Sequence, residues 1–453
     1  MSNLWFETAL LPSGWARSVR VRHAGGVIVA VETGVAAQAG DERHAIGVPG
    51  LPNLHSHAFQ RGMAGLAETS GPAADDFWTW REVMYRFLDH MTPDDLEAIS
   101  AFAFAEMLEA GFTRVGEFHY VHHDAAGQPY TQIGELSSRI AAAAAETGIA
   151  LTLLPVLYAH ADFGGAPHKP GQRRFINDVD SFAKLHAAGA EAIKPLAGAR
   201  IGVAPHSLRA VTPDELAAVL PLAAGGPIHI HAAEQTKEVD ACVAWSGERS
   251  VQWLLNHAPV DARWCFIHAT HLTPDETQRL AASGAVAGLC PITEANLGDG
   301  VFPTAEFLDQ GGRFGVGTDS NIHVDAAAEL RALEYAQRLV RRERNVLAGA
   351  PFSSTGARLY RDALAGGSQA LGVDNTGIAV GGAADMVSLN AQHSVFIGRD
   401  GDALLDGWIF TAGAQAVDCV WRDGAKLVEC GRHRRSEALG VAYRATVARL
   451  LSL

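Results

Sequence analysis

The chain is poor in cysteine, short of basic residues and free of long apolar runs, and each shortage excludes a class of protein. Its five cysteines, Cys242, Cys265, Cys290, Cys419 and Cys430, are scattered through 453 residues with no C-x-x-C pair. Such a set suggests neither a disulfide framework nor a thiolate zinc site, and it fits a reducing compartment. Lysine and arginine number 36 against 50 acidic residues, a formal net charge of -14. That field repels nucleic acid and anionic membranes, leaving small molecules or other subunits as the expected partners. No stretch reaches the ~18 uninterrupted apolar residues of a membrane span. Residues 1–15 carry Glu7 and have neither a basic start nor an apolar run, so a cytoplasmic protein is expected.

What remains is the composition of an ordinary folded enzyme, 48% hydrophobic and 19% charged. The length predicts one large domain with a smaller appendage. Eight β-type segments, 48–55, 113–120, 150–158, 199–206, 227–231, 263–268, 285–293 and 313–319, each run into polar or histidine-containing residues. Ala- and Leu-rich stretches of helical spacing lie between them. Thr92-Pro93-Asp94-Asp95, Thr212-Pro213-Asp214-Glu215 and Thr273-Pro274-Asp275-Glu276 each offer a capping hydroxyl, proline at the first helical position and acids in the first turn. Gly111 is placed to stop a helix before the second strand.

This α/β alternation predicts a (β/α)8 TIM-type barrel over 48–376, with reactive residues at the C-terminal strand ends. A doubly wound open sheet is the alternative that periodicity alone leaves standing. Both flanks, 1–47 and 377–430, carry short alternating runs and predict a small β-sandwich domain; 431–453 holds a C-terminal helix. Leu439, Ala442, Tyr443, Val447, Leu450 and Leu451 form the apolar side of that helix.

The chemistry concentrates at four of these strand ends. His55-Ser56-His57 closes the first, where alternation sends both imidazoles to one face. An isolated H-x-H pair is more often incidental than metal-binding, but this one follows the apolar run GVPGLPNL. His229-Ile230-His231 leads to Glu234; His231, nearer the rim, is the preferred ligand, with His229 packed deeper. His268 and Asp319 close two further strands. Three histidines and one aspartate, completed by water, make a hydrolytic zinc site with an open position. His119, His122 and His123 are read as a loop shaping the pocket, and Trp78, Trp80 and Tyr85 as packing and pocket walls.

These residues, with the string His231-Ala232-Ala233-Glu234, resemble the mononuclear deaminase branch of the amidohydrolase superfamily over nearly the whole chain. The carboxylated lysine of two-metal members has no counterpart in ARIGVAPHSLRAV, which favours one metal. LPNLHSHAFQRGMAGLAE, DDFWTWREVMYR, GEFHYVHHD, HSLRAVTP, HIHAAEQTKEVD, FIHATH and TEANLGDG more closely resemble the N-formimino-L-glutamate deiminases, and VGGAADMVSL the superfamily's small β domain. One departure is Pro291-Ile292, where related sequences carry Leu-Ser.

The resemblance implies hydrolysis of N-formimino-L-glutamate to N-formyl-L-glutamate and ammonia in histidine degradation, by a homodimer with one Zn2+ per subunit; Fe2+ suits the same ligands. His55, His57, His231 and Asp319 would hold the metal. Asp319 would accept the attacking water's proton, His268 would orient the oxygen, and Glu234 would protonate the departing nitrogen. The substrate's two carboxylates call for arginine forks, for which Arg81 and Arg209 are the candidates. Gln60, Tyr120 and His206 are implied as further substrate contacts. A nucleobase deaminase on the same scaffold and a metal-free binding barrel are the rival readings.

Overall fold

The computed structural model describes residues 2–69, 76–374 and 377–452. The expected barrel boundary at 376 lies outside these residues. Four strands open the chain: β1 (Ser2–Leu11), β2 (Gly14–Ala24), β3 (Val27–Glu32) and β4 (Glu42–Pro49). Nine parallel segments follow: β5 (Leu51–Ser56), β6 (Phe112–His119), β7 (Ala150–Leu157), β8 (Arg200–Ile201), β9 (Ala204–Pro205), β10 (Ile228–Ala232), β11 (Trp264–His268), β12 (Val286–Leu289) and β13 (Arg313–Val316). The last four are β14 (Met386–Leu389), β15 (Val417–Arg422), β16 (Ala425–Glu429) and β17 (Arg432–His433).

The flanking strands form one continuous eight-stranded sheet in the order β17-β16-β15-β14-β4-β1-β2-β3, where two separate layers of a sandwich were expected. Antiparallel β14–β4 pairing is the seam at which the two ends of the chain meet, so one hydrogen-bonded ladder unites them. Phe6, Val19, Val21, Met386, Cys419 and Trp421 share the apolar cluster on one face of this sheet.

The central segments lie in two parallel sheets, β5-β6-β7-β8, with β9 also on β7, and β10-β11-β12-β13. Single parallel bridges join them at both seams, Val203 to Ile228 and Ser56 to Asp319. Two expected strands are shorter than their sequence suggested. The 199–206 segment breaks into β8 and β9 around Gly202, where an added Cβ would lie 2.5 Å from the Pro227 carbonyl oxygen, so close backbone approach interrupts the ladder. The 285–293 segment stops at Leu289 because Pro291, which has no amide donor to give a sheet, begins the helix Pro291–Leu297.

Helices cover the sheets from outside. Those beginning at Pro93, Pro213 and Pro274 are each capped reciprocally by the threonine before them and the acid three residues on. Helix α1 (Phe77–Leu88) carries Arg81 to the rim, and α2 (Pro93–Glu109) ends beside Gly111 at φ +94°. The C-terminal helix Ser436–Leu451 packs on α2, with Tyr443 stacked 4.1 Å from Phe102 between ring centroids. Leu439 and Leu450 of its expected apolar side are buried, whereas Ala442 and Leu451 face solvent. The face that meets α2 is therefore narrower than the sequence stripe. No helix among the described residues is long and apolar enough to cross a membrane.

Candidate active site

Strand alternation sends His55 and His57 from the end of β5 into the space enclosed by the parallel strands, and β10 delivers His231 from across it. One donor atom from each of these three and from Asp319 lies within 4.8 Å of all the others. His55 Nε2 stands 3.3 Å and His57 Nε2 3.1 Å from Asp319 Oδ1, and His231 Nε2 stands 3.2 Å from His55 Nε2. Two of the rings are oriented from behind: His57 Nδ1–H donates to the Phe118 carbonyl at 2.9 Å and His231 Nδ1–H to that of His206 at 3.1 Å. This leaves both Nε2 lone pairs aimed at the common centre. A nitrogen facing a nitrogen beside a carboxylate is the donor arrangement that a divalent cation satisfies.

Asp319 sits beyond β13, with its amide bonded to the His55 carbonyl and its own carbonyl accepting from the His57 amide and Asn321 Nδ2. Its φ is +44°, and Ala233 and His268, at the ends of β10 and β11, also have positive φ, +52° and +67°. Strain of this kind in non-glycine residues persists where the surroundings over-determine it, as functional rims do.

His268 stands just outside the tight set. Its Nε2 lies 3.8 Å from Glu234 Oε1 and 3.7 Å from Asp319 Oδ2, and its Nδ1 lies 3.2 Å from Glu294 Oε1. Burial would lower its pKa, but Glu234, Glu294 and Asp319 outweigh that and hold it up to about 10. Burial pushes His55 down to about 3 and His231 well below its ordinary value, so both present neutral imidazole. Burial alone would raise Asp319; the adjoining His55 and His57 imidazoles hold it well below the usual carboxylate range. Burial raises Glu234, with His268 and Arg209 opposing.

Except for His55, which lies behind the rim, every predicted site residue lines one cleft: His57, Gln60, Arg81, Tyr120, His206, Arg209, His231, Glu234, His268 and Asp319. Gln60 Nε2 donates to the Tyr120 hydroxyl at 2.8 Å, while its buried Oε1 has no partner. Arg81 and Arg209 are 8% and 4% exposed, and among the described residues neither has a carboxylate within 4.0 Å. Arg81 Nε reaches only the Tyr85 hydroxyl, at 3.1 Å, and Arg209 Nε is unpartnered. Both guanidinium groups lie against the Trp78 ring, with Arg81 Cζ 4.9 Å and Arg209 Cζ 5.3 Å from its centroid.

His229 points elsewhere, its Nε2 donating to the Ala370 carbonyl at 2.7 Å. His122 and His123 are bound to backbone carbonyls, and with His119 they make no metal group among the described residues. Sequence reasoning missed Glu238, whose carboxylate receives the Ala233 and Glu234 amides at 3.1 and 3.0 Å, and Glu294 behind His268. Both lie four residues after the group whose amide they bind, Glu234 and Cys290, within strings already singled out.

The family described as "Amidohydrolase family" matches residues 46–427, and "Formimidoylglutamate deiminase HutF, N-terminal domain" matches residues 1–45. The chain belongs to the amidohydrolase family. This amidohydrolase is 50% identical, over 100% of both chains, to the formimidoylglutamate deiminase of Pseudomonas aeruginosa. It superimposes on the crystal structure of an amidohydrolase from Brucella melitensis with a TM-score of 0.97 at 53% identity, again covering 100% of each. A zinc-bound adenosine deaminase from Xanthomonas campestris shares the fold, with a TM-score of 0.83 at 22% identity, covering 100% of this chain and 98% of that one. The fold of this amidohydrolase is thus of the TIM-barrel type with an N-terminal sheet domain. The family is metal-dependent, and the His55, His57, His231 and Asp319 donors fit a divalent cation.

Proposed function

We propose that this amidohydrolase cleaves N-formimino-L-glutamate to N-formyl-L-glutamate and ammonia. Its pair of buried guanidinium groups without a carboxylate partner, in a chain of net charge -14, carries the reading. Two buried cations left uncompensated cost several kcal/mol unless a ligand supplies the counter-charge, and a glutamate derivative brings two carboxylates. Arg209 and Arg81 receive these carboxylates, and Gln60, Tyr120 and His206 orient the chain between them and the reacting carbon.

A single Zn2+ held by His55, His57, His231 and Asp319 supplies Lewis acidity, which brings the acidity of water toward neutrality; the same donors accept Fe2+. The water oxygen bonds to the formimino carbon as Asp319 takes one of its protons. Glu234, whose carboxyl pKa burial raises, delivers a proton to the imino nitrogen; the proton held by Asp319 then passes to the same nitrogen as the new hydroxyl returns its proton to Glu234, so the carbon–nitrogen bond breaks, ammonia leaves and a formyl group remains. His268, between the two carboxylates, holds the attacking oxygen with its Nε2–H.

The two seam bridges support closure of the parallel segments into a (β/α)8 barrel, with β8 and β9 sharing one stave. We take 48–376 as the barrel, 1–47 with 377–430 as the sheet domain and 431–453 as the terminal helix. Five free cysteines support a cytoplasmic location.

Ammonia release from N-formimino-L-glutamate, measured beside guanine, cytosine and adenosine, tests the reading. Turnover of the formimino substrate alone is expected, and Arg209→Met should lower kcat/KM for it about a hundredfold, through the loss of charge-assisted hydrogen bonds. Release from a base but not from the dicarboxylate would overturn the assignment.

A further inference from the structure

On the sheet domain, away from the catalytic cleft, a bulge gathers a nitrogen, an oxygen and a sulfur. Ser388 of β14 pairs with Cys419 of β15, and the next residue, Leu389, pairs with Val417. Asp418 is therefore the extra residue of a β-bulge. In regular pleating Asp418 and Cys419 would point to opposite faces; the bulge brings both toward the space beyond the end of β14. There Asp418 Oδ2 accepts from the Cys419 thiol at 3.6 Å and from Ser388 Oγ at 3.3 Å, and lies 3.6 Å from His44 Nδ1 of β4. One donor atom of each lies within 4.8 Å of the other two.

The histidine's far side is already committed. His44 Nε2 is 2.9 Å from Glu42 Oε1, and Glu42 is itself anchored by Lys426 Nζ at 2.7 Å. A carboxylate accepting one ring N–H fixes the tautomer and turns the other nitrogen's lone pair outward, the arrangement found behind metal-bound histidines. Nδ1 then faces the Asp418 carboxylate acceptor to acceptor, at a separation too long for a hydrogen bond. Donors sharing one tetrahedral ion, with bonds of about 2.0–2.3 Å, stand roughly 3.3–3.6 Å apart.

We propose that His44 Nδ1, Asp418 Oδ2 and Cys419 Sγ form a second metal site, for a Zn2+-class ion, distinct from the hydrolytic centre. Nitrogen, carboxylate and thiolate together select a borderline transition ion over Mg2+ or Ca2+. Access is through the cleft that His44 and Asp418 share with Arg43, Glu109, Gln392 and Cys430, which leaves a coordination position open on that side. An ion there ties β4, from the N-terminal part of the chain, to β15, from the C-terminal part, where β14 no longer runs between them. Burial pushes the Cys419 thiol up to about 11, so binding must displace a proton and tightens as pH rises.

The rival for the same geometry is an imidazolium held between Glu42 and Asp418 with no ion at all. The test counts the metal in the holoenzyme and then titrates it with Co2+, reading near-ultraviolet thiolate-to-cobalt charge transfer. The hydrolytic donors include no sulfur, and among the described residues the other thiol grouped with possible ligands is Cys290, beside His268 and Glu294, which its own variant controls for. We expect one further equivalent per subunit with the band present, its midpoint moving to lower Co2+ as pH rises from 6 to 8 (roughly one proton released). Cys419→Ser should abolish the band and Asp418→Asn weaken binding at least tenfold, with deaminase turnover unchanged in both. Cys290→Ser should leave the band intact. Absence of a further equivalent, a further equivalent without the band, or a band surviving Cys419→Ser would each overturn the proposal; Asp418→Asn, at a half-exposed side chain, serves if the serine variant does not fold.

Discussion

Behind His268, the Glu294 carboxylate accepts the imidazole Nδ1–H at 3.2 Å and the Cys290 amide at 2.8 Å, both through Oε1. Among the described residues no other hydrogen bond holds the ring, so Glu294 decides which nitrogen faces Glu234 and Asp319. Glu294→Gln keeps the shape and removes the charge. It is expected to lower kcat roughly 10–100-fold, the usual loss when such an orienting partner is changed, with KM within about twofold, because the arginines are untouched; equal losses in both would assign Glu294 to folding. Glu234→Gln should retain the metal yet lose a factor of about 10² to 10⁴ in turnover, and an active, metal-replete variant would remove it as the acid. His229 gives a pH prediction free of the reacting groups. Burial, outweighing the hydrogen bond to the Ala370 carbonyl, lowers it to about 4 from 6.5, so on acidification the unfolded chain takes a proton that the folded one refuses. Stability is therefore lost as pH falls from 6.5 toward 4. At about 1.4 kcal/mol per unit, this amounts to roughly 3 kcal/mol. Urea titrations of wild type and His229→Gln at both ends of that window should show the variant relatively stabilised in acid.

Helix α1 is the element that brings substrate recognition to a site built by strands. Asp76 caps it, accepting from the Trp78 and Thr79 amides at 2.9 and 3.3 Å, and its second oxygen meets Lys237 Nζ at 2.6 Å. Lys237 lies in the helix that follows Glu234, so this pair couples the arginine-bearing helix to the acid. Asp76→Ala costs about 1 kcal/mol of capping and frees the end of α1 that holds Trp78 and Arg81. KM should rise severalfold with kcat nearly preserved; steady-state kinetics would show an unchanged KM if α1 were held by packing alone. Features at this scale were legible in the sequence wherever a local pattern determines them. The three Thr-Pro-Asp starts fold as capped helices because cap, proline and acid act within one turn. The break between β8 and β9 was not legible, since the Pro227 carbonyl that crowds Gly202 comes from the residue leading into β10, 25 positions on. Glu294 escaped notice for a similar reason: its sequence neighbours give no sign of His268, 26 residues away. The continuous flank sheet was hidden because alternation marks strands but not their partners.

At the scale of the whole molecule, the four metal-facing side chains lie where the central strands must be held together. His55 and His57 follow from β5 and Asp319 from β13, the two strands whose ends meet at the Ser56–Asp319 bridge, while His231 reaches them from β10. The H-x-H pair and the distant Asp319 were readable as a set only because each closes an apolar run; that they share a centre depends on the ring of strands, which no local pattern encodes. A cation there links segments 264 residues apart, from His55 to Asp319, and binds the folded chain alone. At free ion about 100-fold above its Kd, it adds roughly 2.7 kcal/mol. With an unfolding entropy of about 2.1 cal/mol/K per residue, this amounts to some 3 °C in Tm for a chain this long. Chelation should lower Tm by about that much, and added Zn2+ should restore it. Working in a Cys419→Ser background keeps any ion on the sheet domain out of the measurement. If Tm does not move while turnover disappears, the ion is held too weakly to brace the barrel; if neither changes, these four side chains close on one another without a cation, and the hydrolytic reading fails with them.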